Sequence, residues 1–220
     1  MANFPVIVFD LDGTLLNTLQ DLHAAVNFSL AQHGLPPRSL TEVRSYLGNG
    51  VGALLRQSVP AGTPHEVIEQ VLATFRPYYL AHSMDTTRPY DGMLEAIQAL
   101  KAAGKRMAIV SNKPDEAVQE LHRRFFASAG VDIAVGESPD VKRKPDPAAV
   151  FAAIARLGAE PAEAVYVGDS EVDLETARRA GLPCVAVAWG FRDVPQLLEA
   201  GAGTIIHKPA ELVELFPKSS

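Results

Sequence analysis

Val6-Ile7-Val8-Phe9-Asp10-Leu11-Asp12-Gly13-Thr14 is a short apolar run that ends abruptly in two carboxylates. A bounded run of β-branched and aromatic residues predicts a buried strand, of the kind found in parallel sheets covered on both faces. Side chains two apart on a strand share a face, so Asp10 and Asp12 start out towards one crevice before Gly13 turns the chain. Two neighbouring acids repel. They are tolerated where a divalent cation neutralises them, or where one holds a proton while the other stays ionised. Read alone, the stretch is also an ordinary strand-to-turn junction, where Asp and Gly are common. Its meaning therefore depends on what the rest of the chain places beside it.

The chain has 220 residues, enough for one α/β domain with an insertion or for two modest domains. Its 47% hydrophobic and 21% charged residues are ordinary for a soluble globular protein. The net charge of −6 argues against a general attraction to nucleic acid or to an anionic membrane, while a local cation still permits a small anionic substrate. A single cysteine, Cys184, rules out an internal disulfide and fits a reducing compartment. It lies in the strand-like run Pro183-Cys184-Val185-Ala186-Val187 and reads as a buried, inert thiol. The apolar run at the N-terminus is far shorter than the roughly 20 residues that span a bilayer, and no basic leader precedes it; the expectation is a cytoplasmic protein. Oligomeric state leaves no mark in the sequence.

Past Thr14 the period changes. Leu15, Leu19, Leu22, Val26 and Leu30 recur at helical steps through Gln32, with Gly34 and Pro36-Pro37 as the stop. Further helices are predicted from Thr41, from Val51 to before Pro60, and from His65 to about Met84 after Thr63-Pro64. Residues 16–86 thus read as an all-helical module without a strand. From Pro89 onward strand and helix alternate. Helices are predicted at 92–103, 115–127, 148–157, 171–180, 195–200 and 209–215, and strands at 106–110, 131–135, 164–167, 183–188 and 204–206. Such alternation implies a parallel sheet with right-handed crossovers, whose ligands bind at the carboxyl ends of the strands. The fold class is α/β: a three-layer α/β/α, Rossmann-like core formed by 1–15 and 87–220, with the helical module 16–86 inserted as a cap.

Polar residues interrupt the apolar strands at four carboxyl ends. Asp10 and Asp12 end one, Ser111 a second, Lys144 follows a third, and Asp169 with Asp173 a fourth. In a parallel sheet these converge on one edge. Hard oxygen ligands suit Mg2+, which keeps several waters and needs only two or three protein ligands. A carboxylate can also serve as nucleophile, splitting one difficult phosphoryl displacement into two easier ones. Plainer readings exist for each residue: Ser111 as a cap for the next helix, Ser170 as the N-cap of helix 171–180, and Lys144 as part of a solvated basic loop, Lys142-Arg143-Lys144. Lys113 competes with Lys144 as the site's cation.

Asp10-Leu11-Asp12-Gly13-Thr14, Ser111, Lys144 in Lys-Pro-Asp-Pro, and Gly168-Asp169-Ser170-Glu171-Val172-Asp173 resemble, in order, the four motifs of the haloacid dehalogenase superfamily, and the resemblance covers essentially the whole chain. It implies a role for each residue. Asp10 would be the nucleophile and also a ligand of the metal. Asp12 would act as acid and then base, with its backbone carbonyl on the metal. Ser111 and the Asn112 amide would hold phosphoryl oxygens, and Lys144 would offset charge on Asp10 and phosphate. Asp169 would ligate Mg2+, with Asp173 a ligand or one layer behind and Ser170 orienting a metal-bound water. The four acids carry −4 before the metal, which implies that Mg2+ both activates and stabilises the protein.

Among capped phosphatases the chain is most similar to the phosphoglycolate phosphatases, through Gly48-Asn49-Gly50-Val51-Gly52, the 168–173 motif and Trp189-Gly190-Phe191-Arg192. A glycine-rich turn entering a helix suits a small carboxylate, although it also serves as a plain interhelical turn. Arg44, Arg56 and Arg192 are further candidate cations. Asn17 departs from the family, many of whose members carry an acid there. The implied function is Mg2+-dependent hydrolysis of a small phosphorylated metabolite, 2-phosphoglycolate first. A pyrophosphatase, a sugar-phosphate phosphatase or a phosphomutase on the same scaffold are the alternatives. A carbon–halogen hydrolase is disfavoured by the metal-ligand acids. A non-catalytic phospho-receiver is disfavoured by Asp12, which is placed to destroy the phosphate that such a protein must keep.

Overall fold

A computed structural model describes residues 4–218. The chain forms two compact units, one ending at Leu16 and resuming at Pro89, the other running Asn17–Arg88. In chain order, strand β1 (Val6–Phe9) and the two-residue strand β2 (Leu16–Asn17) lead into four helices, α1 (Leu19–Gln32), α2 (Leu40–Tyr46), α3 (Val51–Ser58) and α4 (His65–His82). Strand β3 (Arg88–Pro89) leads back to α5 (Met93–Ala102), β4 (Arg106–Pro114), α6 (Asp115–Leu121), β5 (Ile133–Glu137) and α7 (Ala148–Arg156). The order closes with β6 (Ala164–Gly168), α8 (Glu171–Ala180), β7 (Cys184–Val187), α9 (Val194–Glu199), β8 (Ile205–Ile206) and α10 (Ala210–Leu215). No helix among the described residues is long and apolar enough to cross a membrane.

The larger unit is a six-stranded parallel sheet in the order β5-β4-β1-β6-β7-β8. Its two faces follow from the alternation of each strand. Ile7, Phe9, Met107, Ile109, Val165 and Val167 pack against Met93, Ile97 and Leu100 of α5 and Leu212 of α10. Val6, Val8, Ala108, Val110 and Tyr166 pack against Val150 and Ile154 of α7 and Ala177 of α8. The result is the three-layer α/β/α arrangement expected from the sequence. Central β1 is paired on both sides, Phe9 with Ile109 and with Val167, and the Asp10 N–H extends the ladder to the Val167 carbonyl at 2.9 Å. That register puts Asp10 at the carboxyl edge, on the side of Val6 and Val8.

Four local readings are corrected. The stretch 16–86 is not free of strand, because Leu16–Asn17 forms the short β2. Helix α1 begins at Leu19 rather than at Leu15, because the Leu11 carbonyl accepts from the amides of Thr14, Leu15 and Leu16 while the Gly13 N–H reaches back to Leu16 O. That closed loop, with Gly13 at φ 86°, consumes the residues that the periodicity gave to the helix. Strand β4 does not stop at Val110. Its pairing with β5 shifts and resumes at Pro114 opposite Glu137, so Ser111, Asn112 and Lys113 are strand residues. Strand β5 starts two residues late. Val131 O is taken by the His122 ring and the Asp132 carboxylate by the Met107 amide, so pairing begins at Ile133. The outer edge of β5 is closed by α6: Gln119 donates to Ala134 O and Asp115 accepts from Gly136 N, at 2.9 and 2.7 Å.

The smaller unit packs α1 through α4 around Val26, Leu30, Val43, Leu55, Val71 and Phe75, all buried. Ser39 and Glu42 cap α2 reciprocally, the Glu42 amide donating to Ser39 Oγ at 3.2 Å and the Ser39 amide to Glu42 Oε2 at 2.8 Å. Buried Asp21 accepts from the amides of Thr86 and Thr87 and from the Thr86 hydroxyl, tying the start of the unit to its end. Gly48, Asn49 and Gly50 form the turn between α2 and α3, with φ of 113° at Gly48 and 78° at Gly50.

Candidate active site

Asp10, Lys144, Asp169 and Asp173 come together at the carboxyl edge of β1 and β6. Lys144 Nζ lies 2.8 Å from Asp10 Oδ1 and 2.7 Å from Asp173 Oδ1, and donates to the Tyr166 hydroxyl at 3.1 Å. Carboxylate oxygens of Asp10, Asp169 and Asp173 all lie within 4.8 Å of one another. All four side chains are buried. The cost of burying unpaired charge is therefore the dominant force in the site.

Burial, tempered by the Lys144 charge and reinforced by Asp173 and Asp12, pushes the Asp10 carboxyl up to about 7. Asp169 also rises, first through burial and then through the charges of Asp173 and Asp10; the Phe191 amide and the Thr14 hydroxyl oppose the shift. Burial works against the Lys144 ammonium, but Asp10 and Asp173 outweigh it and hold the group charged well above its ordinary range. Carboxylates that resist ionisation, and whose oxygens lie within a few ångströms of one another, suit a hard divalent cation.

Asp12 stands slightly apart. Its carboxylate faces Lys113, with Nζ 2.7 Å from Oδ1 and 2.8 Å from Oδ2. The two candidate lysines therefore do not compete: Lys144 serves Asp10 and Lys113 serves Asp12. Four carboxylates against two ammonium groups leave two negative charges, the charge of one divalent cation.

Asp173 is fully engaged. Oδ1 takes Lys144 and Tyr166, and Oδ2 accepts from the Asp169 amide, the Ser170 amide and the Ser170 hydroxyl at 3.2, 3.1 and 2.7 Å. It braces the lysine and the start of α8. Ser170 is the residue that opens α8, as its plainer reading held. Ser111 is not the cap of the following helix, since Pro114 occupies that position; the Ser111 hydroxyl accepts from the Lys113 amide at 3.3 Å. The Asn112 side chain clasps the Lys144 backbone in both directions, at 2.8 and 3.1 Å, which sets the lysine loop against β4. The Lys144–Pro145 peptide is cis. Gly48, Asn49 and Gly50 belong to the smaller unit. Arg192 is held by Glu171, with Nε 2.6 Å from Oε2 and Nη2 2.8 Å from Oε1. Cys184 is half-buried rather than buried, and desolvation holds its thiol well above its ordinary range.

The sequence reading missed several partners. Thr14 Oγ donates to Asp169 Oδ1 at 3.1 Å, and the Phe191 amide donates to Asp169 Oδ2 at 2.7 Å. The Trp189 indole donates to Thr14 O at 2.9 Å, so the 189–192 stretch packs onto the β1 loop. Gly190 is tight: a Cβ there would sit 2.3 Å from Asp169 Cβ. That neighbour is the root of the side chain and cannot swing away. Gly190→Ala is therefore expected to displace Asp169 and raise the half-saturating Mg2+ concentration by about 10–100-fold, as loss of a ligand's supporting partner does elsewhere. A Mg2+ titration of the melting temperature, unchanged from wild type, would refute this.

A buried, lysine-braced acidic centre at the carboxyl edge of a parallel α/β sheet lies where such folds bind their ligands. The chain belongs to the haloacid dehalogenase-like hydrolase family, whose model matches residues 7–187. It is 32% identical to a phosphoglycolate phosphatase of Thiobacillus denitrificans over 100% of both chains, and 39% identical to one of Cereibacter sphaeroides over 87% of this chain and 88% of the relative. Among solved structures, a proposed phosphoglycolate phosphatase from Lactobacillus delbrueckii subsp. bulgaricus superposes with a TM-score of 0.92 at 32% identity, over 99% of this chain and 100% of that one. CbbY from Rhodobacter sphaeroides, solved in complex with phosphate, gives 0.77 at 25% identity, over 95% and 96%.

Proposed function

We propose that the chain is a Mg2+-dependent phosphatase that hydrolyses a small phosphate monoester, 2-phosphoglycolate first, through a phosphorylated Asp10. The observation that carries this reading is the Asp10–Lys144 contact of 2.8 Å with an Asp169 oxygen close by: a candidate nucleophile, a fixed cation and a second acid side by side, all buried. Asp10 and Asp169 are the side chains that fit the cation best, because each Asp169 oxygen accepts from one protein donor whereas Asp173 Oδ1 accepts from two and Oδ2 from three. When bound, the cation supplies charge neutralisation for the phosphoryl group.

Asp10 Oδ attacks phosphorus in line as the bond to the alcohol oxygen breaks, and Asp12 delivers a proton to that oxygen. Water then gives its proton to Asp12 and breaks the Asp10–phosphorus bond. Lys144 stays on Asp10 and offsets charge on the transferring oxygens, with Ser111 and the Asn112 amide as their donors. Asp173 and Tyr166 keep the lysine aimed. The turn Gly48-Asn49-Gly50 opens α3 and is a candidate for reading the rest of the substrate.

The names of the relatives support 2-phosphoglycolate over the other esters. Phosphate release from 2-phosphoglycolate, pyrophosphate and glucose 1-phosphate tests the choice. The expected order puts 2-phosphoglycolate at least about tenfold ahead in kcat/KM, a margin of about 1.4 kcal/mol; a faster reaction with either rival would overturn it.

A further inference from the structure

Lys113 touches no reacting atom in the chemistry just described and enters it only through Asp12, yet its side chain is only 2% exposed. A lysine is rarely buried so completely unless something pairs with it. Its partner is the Asp12 carboxylate, which is 20% exposed and meets the ammonium with both oxygens, at 2.7 and 2.8 Å. The ammonium is thus seated on a carboxylate, and the position already displays how it would hold another one.

Place matters as much as chemistry. Asp12 is the group that must reach the ester oxygen of the leaving alcohol, so Lys113 stands at the leaving-group end of the site. Lys144 is committed elsewhere, to Asp10, Asp173 and Tyr166. Lys113 is also anchored. It lies in β4 with its amide on Ser111 Oγ, and the next residue, Pro114, pairs with Glu137. The ammonium therefore projects from sheet rather than from a mobile loop.

We propose that Lys113 is a specificity-determining residue: it binds an anionic group that the substrate carries one or two carbons beyond its ester oxygen. In the resting protein Asp12 occupies that seat. The substrate's carboxylate takes over the ammonium, and Asp12 is released to face the ester oxygen. Asp12, no longer beside the cation that favours its ionised form, takes up from solvent the proton that it then delivers. A neutral alkyl phosphate cannot make the exchange, so Asp12 stays held by Lys113 and the ester is cleaved poorly. This rests on the phosphatase reading above and deepens it by naming the feature that separates good substrates from poor ones.

The test compares 2-phosphoglycolate with ethyl phosphate, an ester of similar size without the carboxylate, in saturating Mg2+ with wild type, Lys113→Met and Lys113→Arg. Wild type is expected to favour 2-phosphoglycolate. In Lys113→Met the ratio of kcat/KM for the two esters falls by about 10–100-fold, the usual range for losing a hydrogen bond to a charged group, with KM for 2-phosphoglycolate rising as the ion pair is lost and kcat for ethyl phosphate rising as Asp12 is no longer held. Lys113→Arg, which keeps the charge, retains the greater part of the ratio. Should Lys113→Met fail to show a cooperative melt, Lys113→Gln carries the same expectation. A folded variant that keeps the wild-type ratio, whatever its overall rate, overturns the assignment and leaves the phosphatase reading standing. A wild-type protein that hydrolyses both esters equally well, or neither, overturns the carboxylate preference and this assignment together.

Discussion

Asp10→Asn is expected to lower kcat on every phosphate ester by at least about 10³-fold, because removing a covalent nucleophile costs far more than removing a single binding contact. The substitution is nearly isosteric, and its effect on the fold is small for a definite reason. Lys144 keeps its contacts to Asp173 and Tyr166, so the ammonium is not left alone in the interior. The carboxylate removed was itself under pressure, pushed up to about 7 chiefly by burial. Far-UV circular dichroism should stay close to that of wild type, and the cation-free melting transition should not fall below it, while turnover disappears. Residual activity within about tenfold of wild type would exclude Asp10 as the nucleophile. Loss of the melting transition would show that the acid serves the fold. Mass spectrometry gives an independent reading: the phosphorylated peptide trapped from wild type should carry the group on Asp10.

Asp10, Lys144 and Asp169 were legible in the sequence because each breaks an apolar strand at its carboxyl end or follows one closely, a pattern visible without tertiary information. The layer behind them was not. Tyr166 sits in Ala164-Val165-Tyr166-Val167 and reads as one more buried aromatic, and indeed its ring packs in the core. Only the register of Val8 against Tyr166 brings its hydroxyl up to Lys144 and Asp173. The donor from Phe191 to Asp169 is a backbone amide, which carries no residue identity at all. Gly190 was visible merely as part of a family-like stretch, and its function, leaving room for Asp169, is a statement about the space between two loops. Lys113 was weighed as a rival to Lys144 because linear spacing cannot tell one carboxylate partner from another. The strand bounds failed where side chains competed with the ladder, as at Asp132 and His122 beside β5. The helix start failed where the Leu11 carbonyl gathered three amides into a loop.

Removing Mg2+ should abolish turnover, and adding it back should stabilise the protein more at pH 8 than at pH 6. The sign follows from Asp10. In the unfolded chain its carboxyl titrates at the ordinary value of 3.8, whereas in the folded, cation-free protein burial raises it to about 7. Between those values the folded state holds a proton that the unfolded state has lost. The cation-free protein therefore loses stability as pH rises through this window, by at most about 1.4 kcal/mol per pH unit for one such group. Asp169 shifts in the same direction for the same leading cause, so it adds to the trend. A bound divalent cation needs these carboxylates ionised, and it displaces the proton. At pH 6 part of its binding free energy goes into that displacement, and at pH 8 little does. With Mg2+ at a hundred times its dissociation constant the stabilisation is about 2.7 kcal/mol, which for a chain of this length raises the melting temperature by roughly 5–10 °C. Melting curves in EDTA and in millimolar Mg2+ at the two pH values measure the difference directly. An equal gain at both, or a larger one at pH 6, would mean that the cation does not sit on Asp10 and Asp169; no gain at either would remove the metal from the site altogether. The same titration on Asp10→Asn separates the two acids, since the pH dependence that survives there belongs to Asp169.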